Sequence, residues 1–318
     1  MPAPVVMDVD TGIDDALALL LAARSPELEL VGVGTVAGNV DAALAARNSL
    51  RVLEVADAGD VPVAVGAEAP LLEPVRDARW VHGADGMGES DQPAPAAAPS
   101  GEHAVDQLLR LSREHRGELV VIAVGPLTNL ALALIRDPEF ADRVGRIVLM
   151  GGSARSGGNR DAWAEANIAS DPEAAEVVFR CSAARTMIGL DVTMQVMLDE
   201  ADVAMLGGSG DPAGELAAAV LPFYLDVYTG WVGERRCAMH DPLAVAAVAV
   251  PGLVRTWALP TWVELRGAHT RGMTVVDLRG MLPGAPIADG PTTDVALEVD
   301  VGRARQVLLD RLTTRPSA

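Results

Sequence analysis

Short apolar runs alternate with longer stretches of helical period along this chain, and that alternation predicts an architecture before any residue is given a task. Val5, Val6 and Met7 read as the end of a buried strand, Thr11-Gly12 as a tight turn, and 16–23 as a helix in which Ile13 and Leu17 share an inward face. Next come a strand in "LELVGVGTVAG" (28–38), a helix in "DAALAARNSLRVLEVA" (41–56) and a strand in "VPVAVG" (61–66). The pattern continues with a helix over 102–115, a strand over 118–125, a helix over 129–137 and a strand over 146–152. "DPEAAEVVFR" opens another helix, with Asp171 as N-cap and Pro172 at its first position. "TMIGLDVT" (186–193) reads as a strand, 261–280 as a hairpin and 292–300 as a further strand. Such βαβ alternation predicts an α/β fold with a central, mostly parallel sheet flanked by helices, Rossmann-like in its core. The Pro/Ala-rich stretch "SDQPAPAAAPSGE" (90–102) predicts an exposed loop, because too little chain precedes it for an independent domain, so 1–318 reads as one domain.

Composition narrows the function classes. With 318 residues, 50% hydrophobic and 22% charged, the chain can bury one large core. Its net charge of -19 argues against nucleic acid as a partner, since that affinity rests on cations neutralising phosphates. Every one of the 25 basic residues is Arg, which excludes Schiff-base chemistry and lysine-dependent phosphate chemistry. Cys181 and Cys237 have no metal-ligand spacing and read as small apolar fillers in a reducing compartment. The start "MPAPVVMDVD" lacks a basic stretch followed by a long apolar one, and no run of about 18 apolar residues is present. A cytoplasmic protein with no membrane partner is expected.

The chemistry gathers at the strand ends. "DVDTGIDDALAL" places Asp8, Asp10, Asp14 and Asp15 between an apolar strand and an apolar helix. Helix N-termini favour negative charge by a few tenths to about 1 kcal/mol per residue, which accounts for Asp14 and Asp15 but not for Asp10. If three of these carboxylates converge, each pair repels by roughly 4 kcal/mol at 4 Å and an effective dielectric of about 20, so a cation or shared protons must offset the repulsion. Four other segments carry polar punctuation: 37–39, 124–129, 150–152 and 239–242. Ligands bind at the carboxyl edge of open α/β sheets, so these loops are expected to meet in one crevice. Asp10, Asp15 and Asp241 offer hard oxygen donors suited to Ca²⁺ or Mg²⁺ rather than zinc. An EF-hand is excluded, because the loop has Gly12 at its fifth position and Leu19 at its twelfth. "EANIASD" adds Glu165 and Asn167, which point to one side if the segment is extended. Carboxylates and amides around a hard cation suit a vicinal diol, and ribose is the natural candidate.

The ordered set "DVDTGIDDALAL", "VHGADGMG", "VGPLTN", "VLMGG", "AEANIASDPEAA", "GLDVT", "HDP" and "GMTVVD" resembles the inosine-uridine-preferring nucleoside hydrolases over nearly the whole chain. The resemblance implies a single α/β domain, a tightly bound Ca²⁺, a homodimer or homotetramer, and hydrolysis of the N-glycosidic bond of small-molecule ribonucleosides. It places Asp10, Asp15 and Asp241 as side-chain calcium ligands and Val124 as the backbone-carbonyl ligand. Asp14, Asn39, Asn159, Glu165 and Asn167 fall at the ribose hydroxyls, and His82 and His240 beside the nucleobase. Asp10 is then the base that takes a proton from a calcium-bound water, and His240 the acid for the departing base, with attack at C1′ through an oxocarbenium-like state.

The chain departs from the family pattern on its base side. Ala166 stands where a large aromatic is frequent, leaving Trp163 or Trp231 to supply a wall. The stretch 152–159 is one residue longer than usual, and the segment before His240 is shorter than in several members. Thr11 replaces a frequent Pro. Two other classes compete: a haloacid-dehalogenase-like phosphatase, with Asp8 as nucleophile and Asp10 as acid/base, and a ribose- or nucleoside-binding protein that does not turn substrate over.

Overall fold

In this computed structural model, described here for residues 1–314 apart from 283 and 286, one nine-stranded sheet organises the chain. The strands are β1 (Ala3–Val9), β2 (Leu28–Thr35), β3 (Val63–Val65), β4 (Val120–Ala123), β5 (Arg146–Met150), β6 (Arg185–Ile188), β7 (Met197–Asp199), β8 (Arg236–Ala238), β9 (Val254–Val263), β10 (Thr274–Val276) and β11 (Thr292–Val299). The main sheet runs β10-β9-β11-β6-β5-β4-β1-β2-β3, while β7 and β8 form a separate antiparallel pair. From β11 to β3 every pairing is parallel; β9 and β10 add an antiparallel edge. The 261–280 hairpin is therefore present as β9 and β10, with Thr274 opposite Val263.

The pleat of β1 feeds both layers of the core. Val5, Met7 and Val9 pack with the helix Ile13–Ala23, whereas Val6 joins the opposite cluster around Leu108, Leu130 and Phe179. The sequence reading gave the first helix one inward face. Instead all ten residues from Ile13 to Ala22 are buried, because the helices Ala42–Val55, Pro212–Val232, His240–Ala249 and Val301–Thr313 enclose it. A helix that is apolar all round is a core helix rather than a surface one.

Two other local readings are corrected. Residues 186–193 are not one strand: β6 stops at Ile188, Gly189 is an N-cap, and Leu190–Thr193 form a helical turn. The segment 165–167 is not extended, since Glu165 caps the helix Ala166–Ser170. The Asp171 cap and the Pro172 start are as read, with the Asp171 carboxylate accepting from the Ala174 N–H at 3.1 Å. Residues 90–98 run over the surface with no helix or strand. Both cysteines are free, and among the described residues no helix is long and apolar enough to cross a membrane.

Candidate active site

β1 and β4 are neighbours, and the chain leaves them in opposite directions across the sheet, which opens a crevice at their carboxyl ends. The Asp8 carbonyl accepts from Val124 N–H at 2.9 Å, so the exit of β4 is fixed beside that of β1. Beyond β1 the chain turns through Asp10, Thr11 and Gly12 into the buried helix. Asp15, in that helix's first turn, reaches back to accept from Asp10 N–H at 3.1 Å and Gly12 N–H at 2.9 Å. Asn39, just past β2, donates its side-chain amide to Asp15 at 3.1 Å and its backbone N–H to Asp10 Oδ2 at 2.7 Å. The turn is compact enough that a Cβ on Gly12 would sit 2.5 Å from His82 Nδ1.

Asp241 arrives from elsewhere. "HDP" does not end a strand of the main sheet; it follows β8 of the small antiparallel pair and opens the helix His240–Ala249. Carboxylate oxygens of Asp14, Asp15 and Asp241 lie within 4.8 Å of one another, the one such cluster of three among the described residues. Asp10 adjoins this triplet without belonging to it. Its Oδ1 is buried and has no hydrogen-bond partner. Burial drives all four carboxyls upward, Asp14 to about 8, and mutual repulsion adds to the rise at Asp10, Asp14 and Asp241. Hard oxygen donors, an orphaned carboxylate oxygen and uncompensated buried charge fit a divalent cation, which the Asp14, Asp15 and Asp241 cluster can hold.

A cavity opens over this cluster. One side is polar, lined by Asn39, Asn159, Glu165 and Asn167. Glu165 is held rigidly, accepting from Gly152, Asn167 and Ile168 N–H groups at 2.9, 2.9 and 3.1 Å. Asn159 accepts from Ala166 N–H at 2.9 Å, which leaves its amide N–H₂ as a donor. Asn167 donates to the Val124 carbonyl at 2.6 Å and to the Met150 carbonyl at 3.2 Å, so it steadies the proposed carbonyl ligand.

The other side is aromatic. Tyr224, Tyr228 and Trp231 recur at helical spacing on Pro212–Val232, with ring centroids 4.8 and 4.9 Å apart in succession. Trp80 meets Trp231 edge-on at 5.5 Å. Of the two tryptophans considered for the wall vacated at Ala166, Trp231 lines the cavity and Trp163 is not among its lining residues. Tyr224, Tyr228 and Trp80 were not singled out from the sequence. The i, i+4, i+7 spacing of Tyr224, Tyr228 and Trp231 is the signal that marks them.

Both histidines are buried and neutral near pH 7. His82 Nδ1 accepts from Ile13 N–H at 3.1 Å, so the proton of its imidazole sits on Nε2, and burial lowers its pKa to about 3. His240 has Nε2 2.5 Å from the Tyr228 hydroxyl and Nδ1 2.7 Å from Thr193 Oγ1, with burial lowering it to about 4. Tyr224 in turn donates to Asp14 at 3.4 Å. Asp8 lies outside the cavity: Asn129 holds it at 2.8 Å, and burial raises it to about 7.

A family model described as "Inosine-uridine preferring nucleoside hydrolase" matches residues 5–306. The chain belongs to that family. It is 38% identical over 312 residues to "Probable uridine nucleosidase 2" of Arabidopsis thaliana, covering 97% of each chain. Among solved structures, a plant nucleoside hydrolase superposes with a TM-score of 0.94 at 35% identity, over 99% of this chain and 100% of that one. The "Purine-Preferring Ribonucleoside Hydrolase from Gardnerella vaginalis" superposes with a TM-score of 0.90 at 35% identity, covering 98% of each chain. This nucleoside hydrolase therefore cleaves the N-glycosidic bond of ribonucleosides, and the phosphatase and non-catalytic readings fall away. Asp8, the nucleophile of the phosphatase reading, lies within β1 and is tied by Asn129 of the helix Thr128–Arg136.

Proposed function

We propose that the polar half of the cavity takes the ribose, the aromatic half takes the base, and Ca²⁺ completes the floor. The observation that carries this reading is the convergence of buried carboxylates at the junction of the two halves. Asp10, Asp15 and Asp241 with the Val124 carbonyl would hold the ion; Asp14, a member of the close triplet, lies near enough to contribute as well as to meet a ribose hydroxyl. When bound, the cation neutralises the acids, orients a vicinal diol and acidifies water.

The protein's own groups do the rest. Asn39, Asp14, Asn159, Glu165 and Asn167 ring the sugar, and the three backbone donors on Glu165 fix where its carboxylate stands. Asp10, with an unpartnered Oδ1, is the general base that takes a proton from the attacking water. The acidic floor stabilises positive charge growing at C1′. His82 presents Nε2–H to the base as a fixed donor. His240 is the acid for the leaving base: as imidazolium it passes its Nε2 proton to the Tyr228 oxygen while the Tyr228 hydroxyl proton goes to the base, which leaves neutral imidazole and an intact tyrosine, and the proton Asp10 takes from water balances the one delivered.

The relatives named for uridine and for purines are similarly distant, so base preference rests on the aromatic half of this cavity. The test is a panel of uridine, cytidine, inosine and adenosine assayed for reducing-sugar release, with and without chelator and with calcium or zinc restored. Calcium-restored ribose release supports the reading. Full activity after exhaustive chelation, or restoration by zinc alone, would overturn the calcium assignment.

A further inference from the structure

Asn48, on the helix Ala42–Val55, lines no part of the substrate cavity, yet its side chain joins the two segments that build it. Its single amide nitrogen donates to the Thr11 carbonyl at 3.2 Å and to the Asp85 carbonyl at 2.9 Å. Thr11 lies in the turn between Asp10 and Gly12; Asp85 belongs to the loop that follows His82. We propose that Asn48 is a positioning residue that locks the carboxylate turn and the His82 loop into one body.

Four further hydrogen bonds and one close-packed glycine make the lock specific. Next to Asn48, Ser49 gives its hydroxyl proton to the Ala45 carbonyl at 2.8 Å and receives that of Thr11 at 2.7 Å, so the same turn is held from two adjacent residues of one helix. On the loop side, Asp85 uses its own carboxylate to accept from Met87 and Glu89 N–H at 2.8 and 3.0 Å, stiffening the loop whose carbonyl Asn48 grips. At the junction Gly86 has φ +74°, and a Cβ there would lie 2.9 Å from Asn48 Nδ2 and 3.2 Å from the Thr11 carbonyl. Glycine is needed at that position both for its backbone and for the closeness of the three segments.

The chemical consequence follows from what each segment carries. The turn presents Asp10 and, through Gly12, the N–H that fixes Asp15. His82 receives its own fixing bond from Ile13 N–H, one residue past Gly12. A turn that drifts from the loop would shift the imidazole and the carboxylates relative to one another, and a misplacement of about 1 Å can cost on the order of 100-fold in rate. The lock deepens the reading above, since its effect through His82 reaches turnover only if His82 meets the base.

The test is a double-mutant cycle on the metal-replete enzyme, with Asn48→Ala and His82→Ala singly and together, read as kcat/KM for the best nucleoside of the panel and as the metal dissociation constant by competition with a chelating dye. Expected are a loss of at least tenfold in kcat/KM and at least threefold in metal affinity for Asn48→Ala, with less than a threefold further loss in kcat/KM when His82→Ala is already present. Equal fold losses in both backgrounds, or kcat/KM for Asn48→Ala within twofold of the parent, would overturn the proposal. If His82→Ala alone is harmless, the placement of His82 at the base fails and the metal arm decides: an unchanged dissociation constant in Asn48→Ala then overturns the lock. Asn48→Asp, of the same size but with oxygens facing two carbonyls, must show the same pattern, and it covers the case in which Asn48→Ala does not fold.

Discussion

Removing the cation should reverse the way this enzyme's stability responds to pH. The Asp14, Asp15 and Asp241 oxygens lie within 4.8 Å of one another, where two full charges repel by about 3.5 kcal/mol or more at an effective dielectric of 20. A metal-free site therefore takes up protons: burial first, and the neighbouring Asp15 charge second, raise Asp14 from 3.8 to about 8. A carboxyl whose pKa is higher folded than unfolded stabilises the fold at low pH and loses that contribution as pH climbs through its folded value. For Asp14 alone the loss between pH 6.5 and 8 is on the order of 1–2 kcal/mol, and Asp8, at about 7, adds to it over the same range. His82 and His240 act in the opposite sense: depressed to about 3 and 4, they favour the fold above their unfolded value of 6.5 and withdraw that support as pH falls below it. At pH 6.5 an unfolded histidine is still half protonated, so between pH 6.5 and 8 the two histidines together regain roughly what Asp8 loses, which leaves the carboxylates of the floor to set the net change. Calorimetry on chelator-stripped protein should show Tm falling by about 3 °C across that window, at roughly 2 °C per kcal/mol for a chain of this size. Metal-replete protein should lack the fall and stand about 4 kcal/mol more stable at a free-ion concentration near 1,000 Kd. Metal affinity should also strengthen with pH, because binding displaces protons. A stripped protein whose Tm rises from pH 6.5 to 8, or a pH-independent metal affinity, would refute the electrostatic account of the floor.

Other perturbations address the remaining groups. Asp10→Ala should lower kcat at least about 10²-fold in a ribose-release assay while circular dichroism stays unchanged, and near-normal turnover would remove Asp10 from the base role. His240→Ala should depress kcat strongly for natural nucleosides and much less for p-nitrophenyl riboside, whose leaving group needs no proton; equal losses on both would make His240 a packing residue. Glu165→Gln can keep an oxygen for the Gly152 and Ile168 N–H groups but turns its N–H₂ toward Asn167 N–H, and a cost of about 1–3 kcal/mol in urea unfolding is expected alongside a raised KM; a change below about 0.5 kcal/mol would contradict this donor geometry.

What the sequence disclosed were features with local causes. The strand-turn-helix at Asp10, the Asp171-Pro172 start and the parallel alternation are written in neighbouring residues, and the structure reproduces them. Four features escaped, most of them because their causes are distant. The spread of burial around Ile13–Ala23 depends on four helices that arrive much later in the chain. Glu165 and Asn167 share a site through a cap and a helical turn, not through strand alternation, because Gly152 and Ile168 N–H groups capture the Glu165 carboxylate. The aromatic half comes from Pro212–Val232, whose apolar residues run nearly all round and whose interior Pro222 blurs a helical reading. Asp14 joins the close carboxylate triplet because its helix points N-terminus first at Asp241, a meeting that residue order alone does not announce.

The burial of Ile13–Ala23 on every side has a consequence for how this enzyme can change. The helix bearing Asp14 and Asp15 is a keystone: no side of it is open to adjustment, and a substitution along it disturbs packing and charge together. Trp80 and Trp231, by contrast, stand 57% and 50% exposed at the rim and meet each other only edge to face. On the proposed placement of base and sugar, substitutions there should alter base preference at little cost to the fold, while the groups proposed for the sugar stay fixed behind them. The scaffold thus divides into an immutable hearth and an exchangeable doorway, and a library confined to Trp80, Trp231 and Ala166 is where altered nucleoside specificity should be sought.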